Sequence, residues 1–167
     1  MEITSENFEE GGEIPKYCGY KHENEEPTII FNNVPEDTIY LALIMDDPDA
    51  MAAVGKVWVH WLEVCRPEEH DAQDSHDGEY AFGSQYWSES IFGKNDFGEI
   101  DYGGPAPPDK RHTYVFKGYA LDYNFYSQVL CDPAQSIDEG GFSKQELEDA
   151  MKGHILAEAK LTGTFAP

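Results

Sequence analysis

A chain of 167 residues is long enough to bury one full core and too short for two ordinary domains, so residues 1–167 are expected to form a single domain. Its 40% hydrophobic and 13% aromatic residues suit a strand-rich globular protein, and no apolar run approaches the ~20 residues that span a bilayer, which argues against stable membrane insertion. Thirty-three acidic side chains against 11 basic ones give a formal charge of −22, which repels phosphate backbones and argues against a nucleic-acid partner.

Residues 1–27 read as an irregular acidic lead-in, broken by Gly11, Gly12, Pro15, Gly19 and Pro27. MEITSENFEEGG lacks the basic start and apolar stretch of a secretory signal, so a cytoplasmic location is expected. TIIF, 28–31, is the first clear strand, and VPEDT, 34–38, is a turn. In TIYLALIMD, 38–46, Leu41, Leu43 and Met45 alternate with Ala42 and Ile44, which predicts a central strand buried on both faces. It runs into DPDA, where Pro48 cannot continue a ladder.

KVWVHWLEV, 56–64, is the next strand, and a period of two puts Trp58, His60, Leu62 and Val64 on one face. An acidic loop over 67–79 and a short strand in AFGSQYW, 81–87, follow. GKNDFGEIDYGGPAPPDKR, 93–111, is too rich in Gly and Pro for regular structure, and a long loop of mixed composition in a small domain points to function. HTYVFKGYALD, 112–122, is a third long strand with His112, Tyr114 and Phe116 on one face. Ser143 and Glu146 form a capping box ahead of an apolar stripe through Leu147, Ala150 and Met151 to about residue 154. AEAKLTGTF, 157–165, alternates strictly and predicts a half-buried strand. The fold class expected from this order is mainly β, a two-sheet antiparallel sandwich with a small C-terminal helix.

The carboxylates gather in the first 26 residues, in 68–79 and in the last helix, which are surface places. They form a solvated shell and also fit a halophilic protein, in which salt screens their repulsion. Cys18, Cys65 and Cys131 are odd in number and widely spaced, which suits reduced thiols rather than a disulfide framework or a zinc site.

Asp46, Asp47, Asp49, His60 and His112 lie within or at the ends of strands, beside loops, where sites are built on a rigid sheet. Asp47, His60 and His112 match a two-His-one-carboxylate metal set in type, but no close ligand pair anchors them, so no metal is expected. No G-x-S-x-G, HExxH or phosphate-binding P-loop is present. The histidines are then either satisfied core side chains or donors to an anion, with an aspartate orienting a ring.

Five segments resemble the phosphatidylethanolamine-binding protein family, especially its bacterial and archaeal branch. They are IPKYCGYKHENEEP (14–27), VPEDTIYLALIMDDPDA (34–50), VWVHWLEV (57–64), NDFGEIDYGGPAPPDKRHTYVFKGYALD (95–122) and MKGHILAEAKLTGTF (151–165). The resemblance implies a two-sheet antiparallel fold with a shallow pocket for phosphate-like anions and phosphorylated headgroups, without a cofactor. Matched motif by motif, that pocket would hold Asp47, Asp49, His60, Ala106, Pro107, His112 and Tyr114. The family is not generally enzymatic, so binding is the expected activity. Regulation of a partner kinase or protease, a homodimer, and a His-dependent hydrolase are the other expectations. The sequence departs from the family pattern at Met51 (usually Pro), Thr113 (usually Arg) and Ala106 (usually Cys or Gly), which bears on ligand identity and affinity. Arg111 precedes His112 and points the other way on a regular strand.

Overall fold

The unbroken apolar run of the first long strand becomes the middle of the larger of two sheets. A computed structural model describes residues 1–66, 80–82, 90–122 and 141–167. Its strands are β1 (Glu2–Ser5), β2 (Ile29–Asn32), β3 (Tyr40–Asp47), β4 (Trp58–Cys65), β5 (Tyr80–Phe82), β6 (Ile91–Phe92), β7 (His112–Leu121) and β8 (Ile155–Phe165). Among the described residues, two short helices, α1 (Ala50–Val54) and α2 (Lys144–Met151), complete the regular structure with a 3-10 turn at Lys16–Cys18. One sheet has the order β1-β2-β5 and the other β6-β4-β3-β7-β8, with every strand pairing antiparallel. The mainly β, two-sheet antiparallel architecture with a small C-terminal helix is the one expected.

β3 is buried along its whole length because it packs on both sides. Leu41, Leu43 and Met45 face the other sheet, where they join Ile3, Ile29, Phe31 and Phe82. Tyr40, Ala42 and Ile44 face outward and are covered by Phe142, Leu147 and Met151 from the region of α2. The two sheets approach closely at Gly118, where an added Cβ would lie 2.6 Å from a ring carbon of Phe31. α2 is capped as predicted: Ser143 Oγ accepts from Glu146 N, and Ser143 N donates to Glu146 Oε2. It stops at Met151, earlier than its apolar stripe suggests, because Gly153 turns the chain at φ 81°.

Three differences from the sequence expectations are local. The acidic lead-in contains β1, which is only four residues long and too short to show a period. α1 begins on the last residue of DPDA, Ala50, whose N–H donates to Asp47 Oδ1. β8 begins at Ile155 rather than 157. The expected 81–87 strand overlaps β5, while residues 83–89, the 67–79 loop and Cys131 lie outside the described residues.

The fourth difference shapes the site. In the β3–β4 ladder Met45 pairs with Trp61 and Asp46 with Val59, so His60 is an extra residue in β4. The period of two breaks there. His60 and Trp61 both face inward, whereas Leu62 and Val64 lie on the outer face under α2. The expectation that Trp58, His60, Leu62 and Val64 share a face is therefore wrong beyond His60. A bulge carries no signal in an alternating pattern of this kind.

Candidate functional site

His112, at the start of β7, is 1% exposed and held from both sides by carboxylates. Its Nδ1 lies 2.7 Å from Asp47 Oδ2, and its Nε2 lies 2.9 Å from Asp109 Oδ1. A ring bonded to a carboxylate through each nitrogen donates through both, and so carries a proton on each. Burial lowers its pKa, but the bonds to Asp47 and Asp109 outweigh that and raise it above the ordinary 6.5. Asp47 ends β3, where Oδ1 starts α1 and Oδ2 orients the ring, so both oxygens are used within the fold.

His60 is the opposite case. Its Nδ1 sits 2.7 Å from Gly103 O and 3.1 Å from Gly104 O, and since carbonyls only accept, Nδ1 carries the hydrogen. Burial lowers the His60 pKa despite these bonds, which keeps the ring neutral. Nε2 is then an acceptor, and it has no hydrogen-bond partner among the described residues. Tyr114, two residues after His112 on the same face, has its ring centroid 5.1 Å from that of His60. Its hydroxyl is buried beside Asp47 with no hydrogen bond of ordinary geometry among the described residues. Burial, with the Asp47 charge beside it, raises its pKa and keeps it protonated.

The Gly/Pro loop is ordered by its own side chains. Buried Asn95 accepts from Phe97 N and Glu99 N through Oδ1 and donates to Asp101 O through Nδ2. Asn24 Oδ1 accepts from Gly104 N, and Tyr102 Oη donates to Cys18 O. Gly104 packs so tightly on the Lys16–Cys18 turn that a Cβ would come within 1.9 Å of Cys18 O. Phe97 walls the His60 ring at 5.5 Å and stacks on Tyr20 at 3.9 Å.

The structure thus brings together four of the predicted site residues, Asp47, His60, His112 and Tyr114. Asp49 lies beside them and accepts from Thr113 N at 2.8 Å, pinning the start of β7. Ala106 and Pro107 line a cavity of about 140 Å³ with Lys21, His22 and Phe165. Arg111 reaches away to Glu13 and Thr164, as its place in the strand predicted. Sequence reasoning missed Asp109, Phe97 and Asn95. Asp109 carried the clearest signal, a carboxylate three residues before the histidine in a turn-forming PPDK stretch.

A sequence model of the phosphatidylethanolamine-binding protein family matches residues 4–166. The chain belongs to the phosphatidylethanolamine-binding protein family. A relative from Chlamydia muridarum, named UPF0098 protein, is 36% identical over 99% of this chain and 98% of its own. The crystal structure of CT736 from Chlamydia trachomatis superposes with a TM-score of 0.76 at 34% identity, covering 98% of this chain and 95% of that one. Escherichia coli YbcL, described as a member of the mammalian family, superposes with a TM-score of 0.73 over 98% and 96% of the two chains; at 24% identity it shows the shared fold. As in the sequence, no described helix of this family member is long and apolar enough to cross a membrane. Cys18 and Cys65 are free buried thiols, and burial pushes the Cys18 pKa up to about 12.

Proposed function

We propose that this family member binds a small oxyanion, a phosphate or the phosphate of a headgroup, at His112, and that it binds without turning it over. The observation that carries this reading is the clamp on His112. Asp47 holds one ring nitrogen, which aims a charged N–H at the position of an incoming oxygen. The Tyr114 hydroxyl adds a second buried donor still without a partner of ordinary geometry, and neutral His60 adds an acceptor for a P–OH group. Binding rather than hydrolysis is supported by His112 itself, since a ring protonated on both nitrogens cannot serve as a base. Among the described residues, no Ser, Thr or Cys nucleophile is hydrogen-bonded to either imidazole.

An anion prefers the protonated ring, and the His112 pKa is raised, so affinity holds through pH 6.5 and falls as pH rises past the elevated value. The test is a phosphate titration followed by the two imidazole NMR signals at several pH values. We expect His112 to respond first, and His112→Ala to weaken binding by roughly tenfold or more, the worth of a hydrogen bond from a charged donor. Silence from both imidazoles, or unchanged binding by His60→Ala and His112→Ala, would remove the assignment and leave the histidines as core side chains.

A further inference from the structure

Asp109 stands where the proposed ligand would stand. Its Oδ1 lies 2.9 Å from His112 Nε2, which is the contact an oxyanion oxygen would make, while its side chain is half exposed on the loop before β7. The ring has no other nitrogen to offer, since Nδ1 is held by Asp47. We propose that Asp109 is the residue that sets affinity at this site: a tethered carboxylate occupies the anion position on His112 and is exchanged for the ligand on binding. This rests on the anion-binding reading of the same site.

The chemistry of the exchange follows from the partners. His112 cannot bond Asp109 and a ligand oxygen through the same N–H with good geometry, so one must leave. Asp47 cannot be the one displaced, because it is 4% exposed and its other oxygen holds Ala50 N. Asp49 is engaged by Thr113 N, and the neutral His60 and protonated Tyr114 contribute no charge. Of the carboxylates at the site, Asp109 alone can swing into water without stripping a buried donor other than the one the ligand takes over. An incoming anion therefore replaces the Asp109 carboxylate with its own oxygen on the same proton, and its net gain from that bond is small. Two consequences follow for ligand class. A ligand that merely matches a carboxylate binds weakly. One that also fills the neighbouring Tyr114 donor and the His60 acceptor, as a protonated phosphate does, gains contacts that Asp109 lacks. The contact also accounts for part of the raised His112 pKa, since Asp109 is second after Asp47 among the hydrogen-bonding causes.

The experiment compares the parent with Asp109→Asn and Asp109→Ala, using inorganic phosphate as the probe and acetate as the carboxylate control. Binding is followed by calorimetry and by the His112 imidazole signals, at a pH below the His112 pKa found by titrating each of the three proteins. We expect phosphate to bind roughly two- to fivefold more tightly to both variants, since each loses a competing, half-exposed charge. We expect acetate to gain as well, and the ligand-free His112 pKa to fall in both variants. On adding phosphate to the parent, the Asp109 carboxyl signal should move with the His112 signal. Equal phosphate affinity in parent and variants, with His112 still responding, would overturn the exchange and leave the anion reading intact. No response at His112 in any of the three proteins would overturn both.

Discussion

Replacing Glu63 by glutamine removes a buried acid from the middle of β4 without changing its shape. Glu63 is 2% exposed, and its Oε2 has no hydrogen-bond partner among the described residues. Burial is the main reason its carboxyl is pushed up from 4.5 to about 8, with Glu26 and Asp101 adding their charges. The folded protein therefore keeps a proton that the unfolded chain releases near pH 4.5. Below that value the acid costs nothing relative to the amide. Between 4.5 and about 8 the folded state binds more protons than the unfolded state, so stability falls as pH rises. At ~1.4 kcal/mol per pH unit this reaches a ceiling of about 5 kcal/mol above pH 8, and water entry and relaxation reduce it to a few. Glu63→Gln should match the parent near pH 4.5 and pull ahead steadily to pH 8.5. For a chain of this size a few kcal/mol is on the order of 10 °C in Tm. Thermal melts at closely spaced pH values in one buffer series measure the difference directly, and carboxylates elsewhere cancel in it. Two curves that run parallel from pH 5 to 8.5 would show that Glu63 is ionised in the folded state, and the burial argument would fail.

Gly118→Ala should lower stability by about 1–3 kcal/mol in urea unfolding, because its Cβ would meet the Phe31 ring at 2.6 Å and push the two sheets apart. Ser143→Ala removes the side-chain half of the α2 cap and should cost about 1 kcal/mol by the same assay. With a formal charge of −22, Tm should rise from dilute buffer to molar KCl; a flat or falling Tm would show that repulsion among surface carboxylates does not limit stability.

The parts of the fold that were legible in the sequence are those with a repeating signal. β3 showed itself by apolar residues on both faces, β8 by strict alternation, and α2 by its capping box. The Gly/Pro stretch 93–111 was rightly read as lacking a strand or helix, but its order was not visible. Asn95 organises it through contacts four and six residues away, which no periodicity reports. β1 and β6, at four and two residues, are defined by their partners rather than by their own pattern. The site divides the same way. Asp47, His60, His112 and Tyr114 were found from their positions and from the family resemblance. Asp49 was named among the ligand-binding residues, and its bond from Thr113 N is a further contact that residue type alone does not encode.

The bulge at His60 explains why this site sits at the end of β3 and β4 rather than along them. Further along β4, Trp61 and Cys65 point into the core shared with Leu41, Leu43 and Phe116. The extra residue makes two successive inward side chains, Trp61 toward the core and His60 toward the mouth. His60 then meets the Gly103–Gly104 carbonyls, which hold its Nδ1 hydrogen, and reaches the level of Tyr114 on β7. Asp47 and His112 lie at the same end, because β3 ends where β7 begins in the antiparallel pair. Without the extra residue, an alternating β4 that kept Trp61 in the core would turn His60 to the outer face, the one that carries Leu62 and Val64. The two imidazoles are therefore neighbours because one residue is out of step, and that step leaves one ring neutral on carbonyls and the other charged between carboxylates.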